Sequence, residues 1–177
     1  MAPADAAGYL GEFSGILRRL EVVGTVNGVT VIDDFAHNPD KISATLETMH
    51  AFPGRLLLMF QPHGYGPIRL MRNALVDCFA YGLHAEDVLV MPEPVYFGGT
   101  VDCSVGSGDI VREIRRCGRK AFAFPDRRAC GDMLVRLASR GDRIVIMGAR
   151  DDSLSQFARE LLGRLAVTKD EGSIAAR

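Results

Sequence analysis

Two hydrophobic spacings alternate along this chain. Residues 29–32, 56–60, 87–91, 120–124 and 143–147 are short, mostly apolar runs, the pattern of strands covered on both faces of a parallel sheet. Between them, apolar residues recur at helical spacing. The first such set is Ile42, Leu46 and Met49; the second is Met71, Leu75 and Phe79, ending near Gly82. Then come Ile110, Ile114 and Cys117 between Ser107 and a stop at Gly118, followed by Met133 with Leu137 and by Phe157, Leu161 and Leu165. Residues 19–23 and 29–32 flank Asn27-Gly28, a dipeptide suited to a two-residue hairpin turn. This βαβ repetition predicts an α/β fold: a Rossmann-like, doubly wound, mostly parallel sheet with an antiparallel N-terminal hairpin and helices on both faces.

Chemistry-bearing residues gather where predicted strands end. Val31-Ile32-Asp33-Asp34-Phe35-Ala36-His37-Asn38-Pro39 runs from a strand through two acids and a histidine into a helix start, with Pro39 suited to the first helical position and Asn38 to its N-cap. In an open α/β sheet the crevice at the carboxyl ends of the strands is where ligands bind, and a helix N-terminus favours an anion. Asp34 and His37 are expected to line it. A plainer reading has Asp33, Asp34 and Asn38 ending the strand and capping the helix, and local chemistry leaves both open. A second such loop is Gln61-Pro62-His63-Gly64-Tyr65-Gly66-Pro67, with Arg69 and Arg72 following on a helix. His63 and Tyr65 offer hydrogen bonds there, while the glycines are equally at home in a tight βα turn. Gly98-Gly99, Gly106-x-Gly108 and 148–152 are weaker candidates, with Ser153 expected to cap the last helix.

Composition narrows the function classes. The 177 residues give room for one domain; 47% are hydrophobic, 24% charged, and the net charge is -1, which offers no basic surface for nucleic acid. The apolar runs are too short to span a bilayer and the N-terminus lacks a signal-peptide pattern, so a cytoplasmic location is expected. Cys78, Cys103, Cys117 and Cys130 form no C-x-x-C pair and are expected as buried free thiols; no histidine pair has metal-ligand spacing, so no metal site is expected. His50 and His84 read as surface or dipole-complementing residues. The G-x-G-x-x-G fingerprint, the G-x-S-x-G elbow and the P-loop are absent, and no catalytic group is assigned within the chain.

Three segments resemble the C-terminal domain of Mur ligases, in particular the branch of UDP-N-acetylmuramate–L-alanine ligase and murein-tripeptide ligase. Residues 13–21, Phe-Ser-Gly-Ile-Leu-Arg-Arg-Leu-Glu, are similar to the family's opening signature. Residues 26–39 resemble its nucleotide-contact loop, and Gln61-Pro62-His63-Gly64-Tyr65 is similar to its Q-P-H-R-Y segment. Order and spacing agree over residues 10–166, leaving 1–9 and 167–177 as expected flexible ends.

The resemblance implies a domain of an ATP-dependent amide ligase of peptidoglycan synthesis, inactive alone. In that family ATP phosphorylates a carboxylate, an amino acid attacks the acyl phosphate, and phosphate leaves. ATP and Mg would be bound mainly by other domains, with the N-terminal and central domains, a UDP-muramyl substrate and an amino acid or peptide as partners. Arg19 and Asp34 would contact the nucleotide, with His37 and Asn38 nearby; His63, Tyr65, Arg69 and Arg72 would face the substrate. Closure over the nucleotide would exclude water from the acyl phosphate. The chain departs from the pattern at Gly64, where the alanine-adding branch has arginine, and at Pro67, which replaces a second basic residue. Asn38 stands where the nearest ligases have histidine, a form similar to folylpolyglutamate and cyanophycin synthetases. A free-standing, non-catalytic nucleotide- or protein-binding module is the other alternative.

Overall fold

Asn27 and Gly28 both adopt left-handed backbone conformations, φ 54° and 77°, and so turn the chain between β1 (Glu21–Val26) and β2 (Val29–Asp34). The computed structural model describes residues 15–95, 100, 102–149 and 151–174. After the hairpin come α1 (Pro39–His50), β3 (Leu56–Gln61), α2 (Tyr65–Leu70), α3 (Arg72–Gly82) and β4 (Val88–Pro92). They are followed by α4 (Ser107–Arg116), β5 (Lys120–Phe124), α5 (Arg127–Leu137), β6 (Arg143–Gly148) and α6 (Ser153–Ile174).

The six strands form one sheet in the order β1-β2-β6-β3-β4-β5, with only the β1–β2 pair antiparallel. Because β2, β3, β4 and β6 are covered on both faces, their side chains divide between two cores, whereas β5, at the sheet edge, is only partly buried and not the doubly covered strand its apolar run predicts. Leu56, Leu58 and Phe60 of β3 join α1, α3 and α4 through Leu46, Phe79 and Ile110, while Leu57 and Met59 join α5 and α6 through Leu134 and Leu161. The last strand, β6, inserts between β2 and β3, so Asp34, Met147 and Phe60 lie abreast and Gln61 pairs with Gly148. The helices after β2 and β3 cover one face and the helix after β6 covers the other. Neighbouring strands therefore send the chain to opposite sides, which opens a crevice at their carboxyl ends.

Asn38 caps α1 as its sequence position predicts, its side-chain oxygen accepting the Lys41 N–H at 3.0 Å. Three expectations need correction. The helix expected through Met71 is two helices that break there, with Pro67 in the first turn of α2, where a missing N–H leaves no bond unmade. The start of α6 is closed by Asp151, whose carboxylate accepts the Ser153 N–H at 3.0 Å, and not by Ser153 itself, which is already helical. Of the cysteines only Cys130 is fully buried; Cys103 and Cys117 are exposed because they lie in a loop and at a helix end. Burial among apolar neighbours pushes the Cys130 thiol up to about 12. The backbone of α6 continues to Ile174, past the boundary at 166, and residues 1–9 lie outside the described part. Among the described residues no helix is long and apolar enough to cross a membrane.

Candidate functional site

Two adjacent acids at the end of β2 have separate tasks. Asp33 is fully buried and faces Arg18, whose Nε lies 3.4 Å from Asp33 Oδ2 and whose Nη2 donates to the Gly148 carbonyl at 2.8 Å. Ser155 of α6 donates to the same carboxylate at 2.5 Å. Asp34, 5% exposed, accepts the Leu20 N–H at 3.2 Å and the Thr45 hydroxyl at 2.6 Å. With the Phe35 N–H donating to the Arg18 carbonyl at 2.8 Å, these bonds lace the segment before β1 onto the β2–α1 loop. Asp34 thus positions this loop, and both of its oxygens are already engaged by protein donors.

The lacing brings an aromatic ring close to two guanidinium groups. The Arg18 and Arg19 Cζ atoms lie 5.1 and 5.3 Å from the Phe35 ring centroid, within cation–π range. Arg19 is exposed, whereas Arg18 is 8% exposed, and its buried Nη1 has no hydrogen-bond partner among the described residues. These side chains, with Glu21, Asp152, Ser155 and Arg159, line a cleft of about 610 Å³. Arg18 Nη1 lies 3.9 Å from the exposed Asp152 carboxylate, and a guanidinium N–H without a hydrogen bond beside an exposed arginine is suited to receive phosphate oxygens.

Phe35 also lines a different cavity. About 340 Å³ in volume, it is walled by Phe35, Phe60, Ile68, Met71 and Leu75, with His37 and His63 as its polar side chains. His37 Nδ1 lies 2.8 Å from the Phe35 carbonyl, which can only accept, so Nδ1 carries the proton and Nε2 remains the variable nitrogen. The structure thus brings His37 and His63, 26 positions apart in number, to one cavity. Tyr65 opens α2 but is not among the residues lining this cavity, and its phenol is raised by burial and by the nearby Glu93. Arg69 and Arg72 are not among the cavity's lining residues: Arg69 pairs with Asp102 at 3.7 Å and Arg72 with Glu113 on α4. Asn38 serves the α1 cap.

Two groupings had no sequence signal. Arg127, at the start of α5, donates to Ser153 Oγ at 2.8 Å, pairs with Asp151 and reaches Gln61 at 3.4 Å, so one side chain ties β3, α5 and the β6–α6 loop together. It lines a cleft of about 900 Å³ with Glu93 and Asp126, just past the ends of β4 and β5, and Glu160 of α6. Asp151 is opposed by its partial burial, yet Ser153 and Arg127 hold it below the usual carboxylate range. At the far end of the sheet, His50, His84 and Asp87 lie together. His50 is therefore neither a simple surface residue nor only a helix-end charge: its Nε2 meets Asp87 at 2.8 Å.

A family profile described as Mur ligase, glutamate ligase domain, matches residues 18–150. A UDP-N-acetylmuramate–L-alanine ligase of Lachnospira eligens is 35% identical over 144 residues, covering 80% of this chain and 30% of that protein. The solved murein peptide ligase of Psychrobacter arcticus superposes with a TM-score of 0.67 at 23% identity, over 92% of this chain and 32% of that one, which is a likeness of fold. A separately solved domain from Haemophilus ducreyi, named as belonging to a UDP-N-acetylmuramate:L-alanyl-gamma-D-glutamyl-diaminopimelate ligase, is covered over 100% of its length. It matches 84% of this chain at 26% identity and a TM-score of 0.59. The chain spans roughly a third of the length of the curated relatives it matches.

Proposed function

Because the chain belongs to the Mur ligase family as its glutamate ligase domain, we propose that it is the closing domain of a cytoplasmic, ATP-dependent ligase that joins an amino acid or short peptide to a UDP-muramyl carboxylate. The observation that carries this reading is the position of Phe35, which walls both the arginine-lined cleft and the histidine-lined cavity. A ligase of this kind must hold a nucleotide and an amine-bearing substrate side by side, and these two sites share one ring.

Arg19 and the Nη1 of Arg18, which makes no hydrogen bond but lies 3.9 Å from the exposed Asp152 carboxylate, would hold phosphate oxygens, and Phe35 would offer its face, with ATP and Mg otherwise bound by the domains that complete the ligase. When bound, ATP supplies the phosphoryl group that activates the carboxylate. Asp34 keeps the Arg18–Leu20 segment fixed on this loop, so its contribution to nucleotide contact is chiefly positional. His37, its Nδ1 proton committed to the Phe35 carbonyl, presents Nε2 as an acceptor for the incoming amine's proton or a donor to an acyl oxygen. His63 and Tyr65 would orient the amine-bearing substrate. Arg69 and Arg72 can meet its carboxylate only by leaving Asp102 and Glu113. The cavity's apolar walls favour a small apolar side chain over a charged one. Asn38, committed to the α1 cap, does not by itself argue for a folate-type ligase.

Phosphate release by the complete ligase polypeptide, measured with single substrates left out in turn, tests the reading. Release is expected only when ATP, UDP-N-acetylmuramate or its peptide, and an amino acid or short peptide are all present. Release driven by folate and glutamate instead, or no turnover with any muramyl substrate, would overturn it.

A further inference from the structure

We propose that His50, His84 and Asp87 form a binding site for one borderline divalent transition-metal ion of the zinc class, at the end of the sheet opposite the nucleotide crevice. His50 is the last residue of α1, His84 lies in the loop after α3, and Asp87 immediately precedes β4. The crevice lies at the carboxyl ends of the same parallel strands, so five or six residues of strand, roughly 17–20 Å, separate the two places.

The geometry is that of a nearly assembled ligand set. One donor atom from each residue lies within 4.8 Å of the other two. His50 Nε2 and Asp87 Oδ2 are already 2.8 Å apart. Ligand atoms around tetrahedral zinc are roughly 3.3–3.4 Å apart, as Zn–N distances near 2.0–2.1 Å require. The remaining adjustment falls on His84, which is exposed and can turn about its side-chain bonds without disturbing the core. The two imidazoles are stacked, ring centroids 3.6 Å apart and planes 14° from parallel, so His84 must turn out of the stack for both lone pairs, which lie in the ring planes, to meet at one ion.

The third ligand is rigidly held. Asp87 is 2% exposed; Oδ1 accepts the Leu56 N–H at 2.9 Å, and Oδ2 accepts the His84 N–H at 2.8 Å. These backbone donors fix the carboxylate and tie it to the loop that carries His84, the outer support that metal ligands usually have. His50 donates its Nε2 proton to Asp87 in the metal-free form. Binding moves that proton to Nδ1, so Nε2 and Oδ2 become ligands with no change in total charge on the ring. Two imidazoles and one carboxylate select zinc, cobalt or nickel over magnesium and calcium, which prefer oxygen alone. The exposed side of His84 leaves the fourth position to water. The site would clip α1, the α3–β4 loop and β4 together, independently of the ligase chemistry.

The test is a cobalt(II) titration of the metal-stripped chain, read by its visible d–d absorption, followed by zinc displacement. The expected result is one cobalt per chain, displaced by one zinc, and a melting temperature that rises with zinc. His84→Gln should fold like the parent, since the residue is exposed, and should weaken zinc binding at least about tenfold, the lower limit for loss of a ligand or its support. Absence of d–d bands in the parent, or undiminished affinity in His84→Gln, would overturn the proposal. A near-ultraviolet thiolate-to-cobalt band would overturn it as well, by assigning the metal to the exposed Cys103 or Cys117.

Discussion

Replacing Arg18 with methionine is expected to lower the stability of this chain by about 3–5 kcal/mol, the usual consequence of leaving a buried charge without its partner. Asp33 has no exposed surface, and among the described residues Arg18 is its only ion-pair partner. Methionine matches much of the arginine stem's volume, so the loss reports the charge and the bond to the Gly148 carbonyl rather than a cavity. The second half of the argument is a double variant. Arg18→Met combined with Asp33→Leu removes both charges and should recover a large part of the loss, because an apolar pair can replace a buried ion pair at little cost. Urea unfolding of the single and double variants checks this. If the double variant is as unstable as the sum of its parts, the pair is not what holds this segment.

Replacing the neighbouring Arg19 with alanine is expected to leave stability almost unchanged and to lower kcat/KM for ATP in the complete ligase by roughly 10- to 150-fold. That range is the kinetic equivalent of about 1.5–3 kcal/mol for one charge-assisted hydrogen bond. The contrast between adjacent arginines follows from the structure: Arg18 points into the protein against Asp33 and Gly148, whereas Arg19 is exposed over the Phe35 ring. Lysine at position 19 keeps the charge but loses the planar fork and should recover only part of the rate. Unchanged ATP kinetics in Arg19→Ala would remove it from the nucleotide site.

Local features were legible in the sequence. The Asn27-Gly28 hairpin, the Asn38-Pro39 helix start and the doubly covered strands other than β5 depend on neighbouring residues, and each stands where its pattern predicts. The β2–α1 loop reads in the sequence as a candidate place for chemistry, and in the structure it lies at the crevice made where β6 slots between β2 and β3. Roles that depend on distant partners were not legible. Two consecutive acids look alike in the sequence, but Asp33 meets Ser155, 122 residues away, while Asp34 reaches back to Leu20. Arg69 and Arg72 look available until Asp102 and Glu113 are brought against them. Arg127, which joins Gln61 to Asp151, and the His50–His84–Asp87 group depend on strand order and loop closure, which no local spacing encodes.

Hydrogen–deuterium exchange of the complete ligase, with and without a non-hydrolysable ATP analogue, tests the central claim most directly. Slower exchange at residues 18–20 and 34–38, the laced segment around Phe35, is the predicted result. Unchanged exchange there, with protection instead at residues 125–128 and 153–160 along the larger cleft, would contradict the assignment of the nucleotide to the Arg18–Arg19–Phe35 face.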